Sequence, residues 1–223
     1  MHKPLSFLAA AGLAGSVLFS STAMADSAAY EVTITNLTRA QAFTPILVAS
    51  HQKGVELFQL GSAASDELSV LAEGGDVAPL TAALQATGKV RDITNSGGLL
   101  MPGQSVTVTV AAGHGARKIS LASMLIPTND SFIALNGVKA PKGHRSVVYY
   151  SPGYDAGTEP NDENCMNIPG PVCGGEGGSP GAGGEGYVHI SRGIAGIGDL
   201  DSATYDWKNP TAKIEIRRVD VDD

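Results

Sequence analysis

Glu31-Val32-Thr33-Ile34-Thr35 alternates polar side chains with β-branched apolar ones. A period of two turns one face of an extended segment to a core and the other to water, the pattern of a half-exposed antiparallel strand. The same alternation returns in Ser105-Val106-Thr107-Val108-Thr109-Val110 and, near the C-terminus, in Lys213-Ile214-Glu215-Ile216-Arg217. Residues 45–50, 117–125, 145–150 and 187–191 read as further strands. Gly97-Gly98, Pro102-Gly103, Gly113-His114-Gly115, Asn136-Gly137 and Pro141-Lys142-Gly143 punctuate them as turn signals. Many short strands divided this way predict a mainly β chain, a sandwich or a barrel.

Helix is expected in one region only. Ser65 precedes Asp66-Glu67, acids suited to the positive end of a helix, and the segment runs through Glu73 until Gly74-Gly75 stops it. Asp76 can cap a second helix that tolerates Pro79 in its first turn and continues through Leu80 and Leu84. The pair reads as an insertion between strands that packs Leu68, Leu71, Leu80 and Leu84 on the sheet. From Ser151 to Gly186 all period is lost and Gly, Pro and Asn dominate. A loop of that length within a compact chain is functional, or is held by cross-links or ligands. It carries Asp155, Glu159, Asp162, Glu163 and both cysteines.

The N-terminus has the layout of a secretory signal: Lys3, an apolar core from Phe7 to Phe19, then Ala23-Met24-Ala25 ahead of Asp26. The expectation is cleavage after residue 25, with residues 26–223 remaining as a single domain in the periplasm or outside the cell. The apolar stretch is short for a membrane span, Ser20-Ser21-Thr22 interrupts it, and no later run is long enough. A net charge of −7 argues against nucleic acid as a partner and suits hard cations such as calcium where carboxylates converge. In an oxidising compartment Cys165 and Cys173 are expected to form a disulfide. Two free thiols, or half of a metal site, are the alternatives; the second lacks Cys or His nearby in sequence.

Several segments together resemble a known family. They are residues 30–38, Thr44-Pro45 with His51, Gly61 with Ala64-Ser65, and Leu71-Ala72-Glu73-Gly74-Gly75-Asp76. The most specific are Ser123-Met124-Leu125-Ile126-Pro127-Thr128-Asn129-Asp130-Ser131-Phe132 and Tyr154-Asp155-Ala156-Gly157-Thr158-Glu159. This pattern resembles the spondin domain in its stand-alone bacterial form, over residues of about 30 to 219. The resemblance implies a C2-like antiparallel β-sandwich, calcium binding and a role in adhesion. It further implies calcium ligands at Asp130, Asp155 and Glu159. Glu159 stands where the animal members carry Asp; being one methylene longer, it leaves room for Asn161, Asp162 or Glu163 to substitute. Gly157 between the two acids would let the chain fold back so that both face one ion.

Other patterns carry less. Gly177-Gly178-Ser179-Pro180-Gly181 satisfies the G-x-S-x-G string of hydrolases but lacks the strand before it and the helix after it. His51, His114, His144 and His189 show no helical ligand spacing and read as structural, and Trp207 reads as a core anchor. The resulting expectation is a non-enzymatic, calcium-binding adhesion or binding module whose partner is an unknown protein or glycan. A periplasmic metal-assisted hydrolase, or an envelope protein without a specific ligand, are the alternatives.

Overall fold

The two layers of the protein differ in what covers them, and this explains which strands alternate and which do not. The computed structural model describes residues 28–178 and 183–221. The expected signal segment and Asp26, with Ser179-Pro180-Gly181, lie outside the described residues.

The first layer is a four-stranded antiparallel sheet in the order β5 (Ser105–Ala111), β1 (Ala28–Asn36), β11 (Ala212–Asp220), β8 (Val147–Ser151). One face is buried and the other wet, and its central strands are the segments with strict alternation. Val32, Ile34, Ile214 and Ile216 point inward with no exposure. On the outer face Thr33 and Thr107 share a hydrogen bond of 2.8 Å, and Arg217 donates to Glu31 at 2.6 Å.

The second layer follows the order β10 (His189–Ile190), β9 (Gly153–Asp155), β7 (Ser131–Lys139), β6 (Lys118–Ile126), β3 (Leu47–His51), β4 (Val90–Asn95), and the short β2 (Ala42–Phe43) pairs with β6. Its inner face packs Val48, Ile119, Leu121, Ile133 and Leu135 against the first layer. Its outer face is covered as well: Leu47, Ala49, Ala122, Phe132 and Ala134 meet Leu68, Leu71, Leu80 and Leu84 of the helices. A strand sandwiched on both sides has no wet face, so β3, β6 and the first half of β7 read as apolar runs.

The helices start and stop as expected. The Ser65 side chain accepts from the Leu68 amide at the start of α1 (Asp66–Gly74), and Gly75, at φ +72°, closes it with a bond to the Leu71 carbonyl. Asp76 accepts the Ala78 amide at 2.8 Å at the head of α2 (Ala78–Ala86).

Four features depart from the sequence reading. A short α3 (Ser202–Tyr205) adds helix outside the expected region. The irregular stretch after Ser151 contains β9, and residues 187–191 yield only the two-residue β10. The edge strand β4 has no alternation to announce it. Asn136-Gly137 is not a turn: Gly137, at φ +66°, lies within β7 where the register against β6 shifts, so the local signal marks a bulge.

Candidate metal centre

The connection from β6 to β7 is only four residues long, and its last one is Asp130. Thr128 ties the turn, donating to the Leu125 carbonyl at 2.5 Å and accepting the Ser131 amide at 3.2 Å. Strand register then sets the neighbours: Ser131 lies opposite Asp155, and Asp155 lies opposite His189. Residues more than fifty positions apart thereby meet at one end of the second layer.

Asp130, Asp155 and Glu159 are all buried. One Asp130 oxygen, Oδ2, accepts the Thr158 amide at 2.7 Å, the Glu159 amide at 3.1 Å and the Thr158 hydroxyl at 3.3 Å. The other, Oδ1, is buried with no hydrogen-bond partner. Asp155 accepts the Gly157 amide on Oδ1 at 2.9 Å and the Asn161 side-chain amide on Oδ2 at 3.0 Å. Gly157 takes the left-handed conformation expected of it.

Burial, and after it the negative charge of Asp155, pushes the Asp130 carboxyl up to about 7, although three hydrogen-bond donors favour its ionised form. Burial raises Asp155 as well, against the stabilising donors from Asn161 and Gly157. Carboxylates so placed repel one another, and a cation among them removes the penalty.

His189 and Glu185 adjoin this site. His189 Nε2 lies 3.4 Å from Asp155 Oδ1 and 3.7 Å from Glu185 Oε2. Its Nδ1 is 3.0 Å from the Ile190 carbonyl, which can only accept, so Nδ1 carries the hydrogen. Nε2 of a neutral ring would then turn a lone pair toward two carboxylates; a proton or a metal ion resolves the conflict. Burial opposes the charged ring, but the Ile190 carbonyl and the Asp155 and Glu185 carboxylates outweigh it and raise the His189 pKa. Among the described residues, Asp155, Glu185 and His189 form a group whose ligand atoms all lie within 4.8 Å of one another. It shares Asp155 with the expected set and contains neither Asp130 nor Glu159.

Of the suggested substitutes for Glu159, Asn161 stays at the site, whereas Asp162 and Glu163 hold backbone and side chains of the long loop and its neighbours. Asp162 accepts from Asn129, Asn164 and Asn167. The Glu163 carboxylate takes the amides of Ala195, Gly196 and Ile197 at 2.6, 2.8 and 2.9 Å. Asn161 bridges Asp155 and Glu185. These contacts, with the Cys165–Cys173 disulfide, hold the long loop in place.

Sequence reasoning set His189 aside as structural and overlooked Glu185. The alternation over residues 187–191 could place His189 on a strand, but the identity of the partner strand was not readable. His51 is structural, as expected: it is buried, with Nδ1 2.7 Å from the Gln52 carbonyl and Nε2 2.9 Å from the Ser120 hydroxyl. Trp207 is buried in the main core.

Comparison with known proteins gives one family. The Spondin_N model matches residues 31–160, more than half of the chain. The match takes in Asp130, Asp155 and Glu159, whereas Glu185, His189 and both cysteines lie beyond it. No curated protein matches the sequence.

Proposed function

The chain belongs to the Spondin_N family, and on that premise we propose that it is an exported, calcium-stabilised binding or adhesion module without enzymatic activity. Residues 26–223 act as one domain after removal of residues 1–25. Asp130, Asp155 and Glu159 hold the ion. The observation that carries this reading is Asp130 Oδ1, a buried acceptor with no hydrogen-bond partner on a carboxyl that feels the buried Asp155 carboxylate beside it. An all-oxygen donor set suits calcium, which takes six to eight oxygens and accepts backbone carbonyls and water among them. When bound, the ion supplies charge neutralisation and a cross-link between the β6–β7 turn and the loop after β9.

Export is supported by the Cys165–Cys173 disulfide, since such bonds persist in oxidising compartments. Among the described residues no helix is long and apolar enough to cross a membrane. The partner is a protein or a glycan.

Thermal melts in calcium and in chelator test the metal. Stability should rise by about 2.7 kcal/mol at a hundredfold excess of calcium over its dissociation constant. Asp130→Asn keeps the shape, removes the charge and should abolish that increment. Equal melting temperatures in calcium and chelator, with no heat of binding in calorimetry, would sink the proposal.

A second reading rests on His189 Nε2. Two carboxylates and an imidazole suit zinc better than calcium. Zinc binding that His189→Ala abolishes, with calcium silent, would favour this reading over the first.

A further inference from the structure

At the end of the β6–β7 hairpin remote from Asp130, the charge reverses. Lys118 and Lys139 are directly opposed across the two strands. Like charges facing each other across a sheet destabilise it. Lys53, Arg117, Lys142 and His114 join them around a cleft of about 600 Å3. Five of the chain's 15 Lys and Arg residues thus crowd into one concavity of a protein with net charge −7. Among the described residues no carboxylate lines this cleft; an adjoining depression shares Lys53, Lys118 and Lys139 and adds a single acid, Glu56. None of the five cations takes part in an ion pair between described residues.

The backbone carrying these cations is fixed. The Tyr149 hydroxyl donates to the Lys139 carbonyl at 2.8 Å, and Arg218 donates to that of Lys142 at 3.1 Å. Gln52 donates to the His114 carbonyl at 3.2 Å, and the Ala140 amide to that of Arg117 at 3.0 Å. Lys118 Nζ reaches the Gly137 carbonyl at 2.6 Å. Crowded, unpaired cations on a tethered framework form an anion site built in advance, so little ordering remains when a ligand arrives.

We propose that this cleft binds a segment of an anionic glycan, a sugar chain bearing several sulfate, phosphate or carboxylate groups. Two alternatives fit less well. The continuous charge of a duplex would meet the acidic remainder of the surface. A membrane is flat, and a concavity withdraws its cations from that plane. The inference gives the adhesion reading a ligand class but does not depend on the cation, because the two ends lie roughly 25–30 Å apart along a nine-residue strand.

Calorimetry of the full chain in chelator, below its melting transition, tests the proposal. The probes are a sulfated hexasaccharide, a hexagalacturonate of equal length, a single-stranded oligonucleotide and phosphatidylserine vesicles. At least one sugar should bind, more weakly as salt rises, and the two sugars separate sulfate from carboxylate recognition. Lys139→Gln/Lys142→Gln should lose at least tenfold in affinity and melt no lower than wild type, since a repulsion has been removed. Lys208→Gln, outside the cleft, should bind as wild type does. Failure of both sugars to bind, or equal affinity in wild type and the double variant, would overturn the proposal. So would tighter binding of the oligonucleotide or the vesicles than of either sugar. A null result in the calcium melts leaves all these outcomes readable.

Discussion

At Gly157 the backbone φ is +67°, and an added Cβ would stand 2.3 Å from the Tyr187 carbonyl oxygen. The obstacle is backbone, which cannot step aside as the tip of a long side chain can. Gly157→Ala should therefore cost about 2–4 kcal/mol, more than a left-handed conformation alone, and should weaken cation binding because Asp155 and Glu159 flank it. Denaturant titration read alongside calcium calorimetry checks both effects; a loss below 1 kcal/mol would mean the loop relaxes freely. His51 gives a pH effect. Burial lowers its pKa below the ordinary 6.5, with the Gln52 carbonyl opposing and the Lys118 charge assisting. A depressed folded pKa means the unfolded chain takes up the proton first as pH falls. The stability tied to neutral His51 is thus present above pH 6.5 and is lost as pH falls through the folded value. The melting temperature of wild type should accordingly drop more steeply than that of His51→Gln on acidification below 6.5. Parallel profiles would remove His51 as the source.

Among the elements, α1 and the long loop rely on different forces. Helix α1 adheres through Leu68, Leu71 and Ala72, all fully buried, while Val70 on its other face is 41% exposed. Leu71→Ala should cost about 2–5 kcal/mol through lost burial and the cavity left behind, and Val70→Ala under about 0.5. Similar costs for the two variants in urea unfolding would contradict packing of α1 on the second layer. The loop after β9 sinks Ala156, Ile168 and Val188 into the core and is otherwise held by polar and covalent ties. The eight-residue separation of Cys165 and Cys173 makes their disulfide worth about 2–3 kcal/mol on the chain-entropy account. Cys165→Ser/Cys173→Ser should lower stability by that amount while the Glu163 carboxylate keeps residues 195–197 attached. Unchanged stability of the double serine variant would leave the loop to its hydrogen bonds and its buried apolar side chains.

For the whole molecule, the β6–β7 hairpin works as a polarised beam. One end gathers buried carboxylates and the other gathers cations, with a dry, doubly covered sheet between them. Sites separated by much more than 10 Å and sharing no partner should contribute independently. Asp130→Asn and Lys139→Gln should therefore change the unfolding free energy additively, within about 0.5 kcal/mol, in chelator. A larger discrepancy in the double variant would show that the two ends communicate through the sheet.

What could be read from the sequence is what depends on near neighbours along the chain. β1, β5 and β11 alternate because one face of their sheet meets water, and Ser65, Gly75 and Asp76 announce helix ends because capping is a matter of a few residues. Asp130, Asp155 and Glu159 could be singled out as candidates through the family motifs, and Gly157 through its place between two acids that must face the same way. The tertiary structure decided the rest. Strands β3, β6 and β7 lose their alternation only because helices happen to cover their outer face. Glu185 and His189 reach Asp155 only through the pairing of β10 with β9, and Lys53 meets Arg117, Lys139 and Lys142 only where separate loops converge. Local periodicity records whether a residue is buried, but it does not record which distant segment buries it. Partners across strands are chosen by register and packing summed over the whole core.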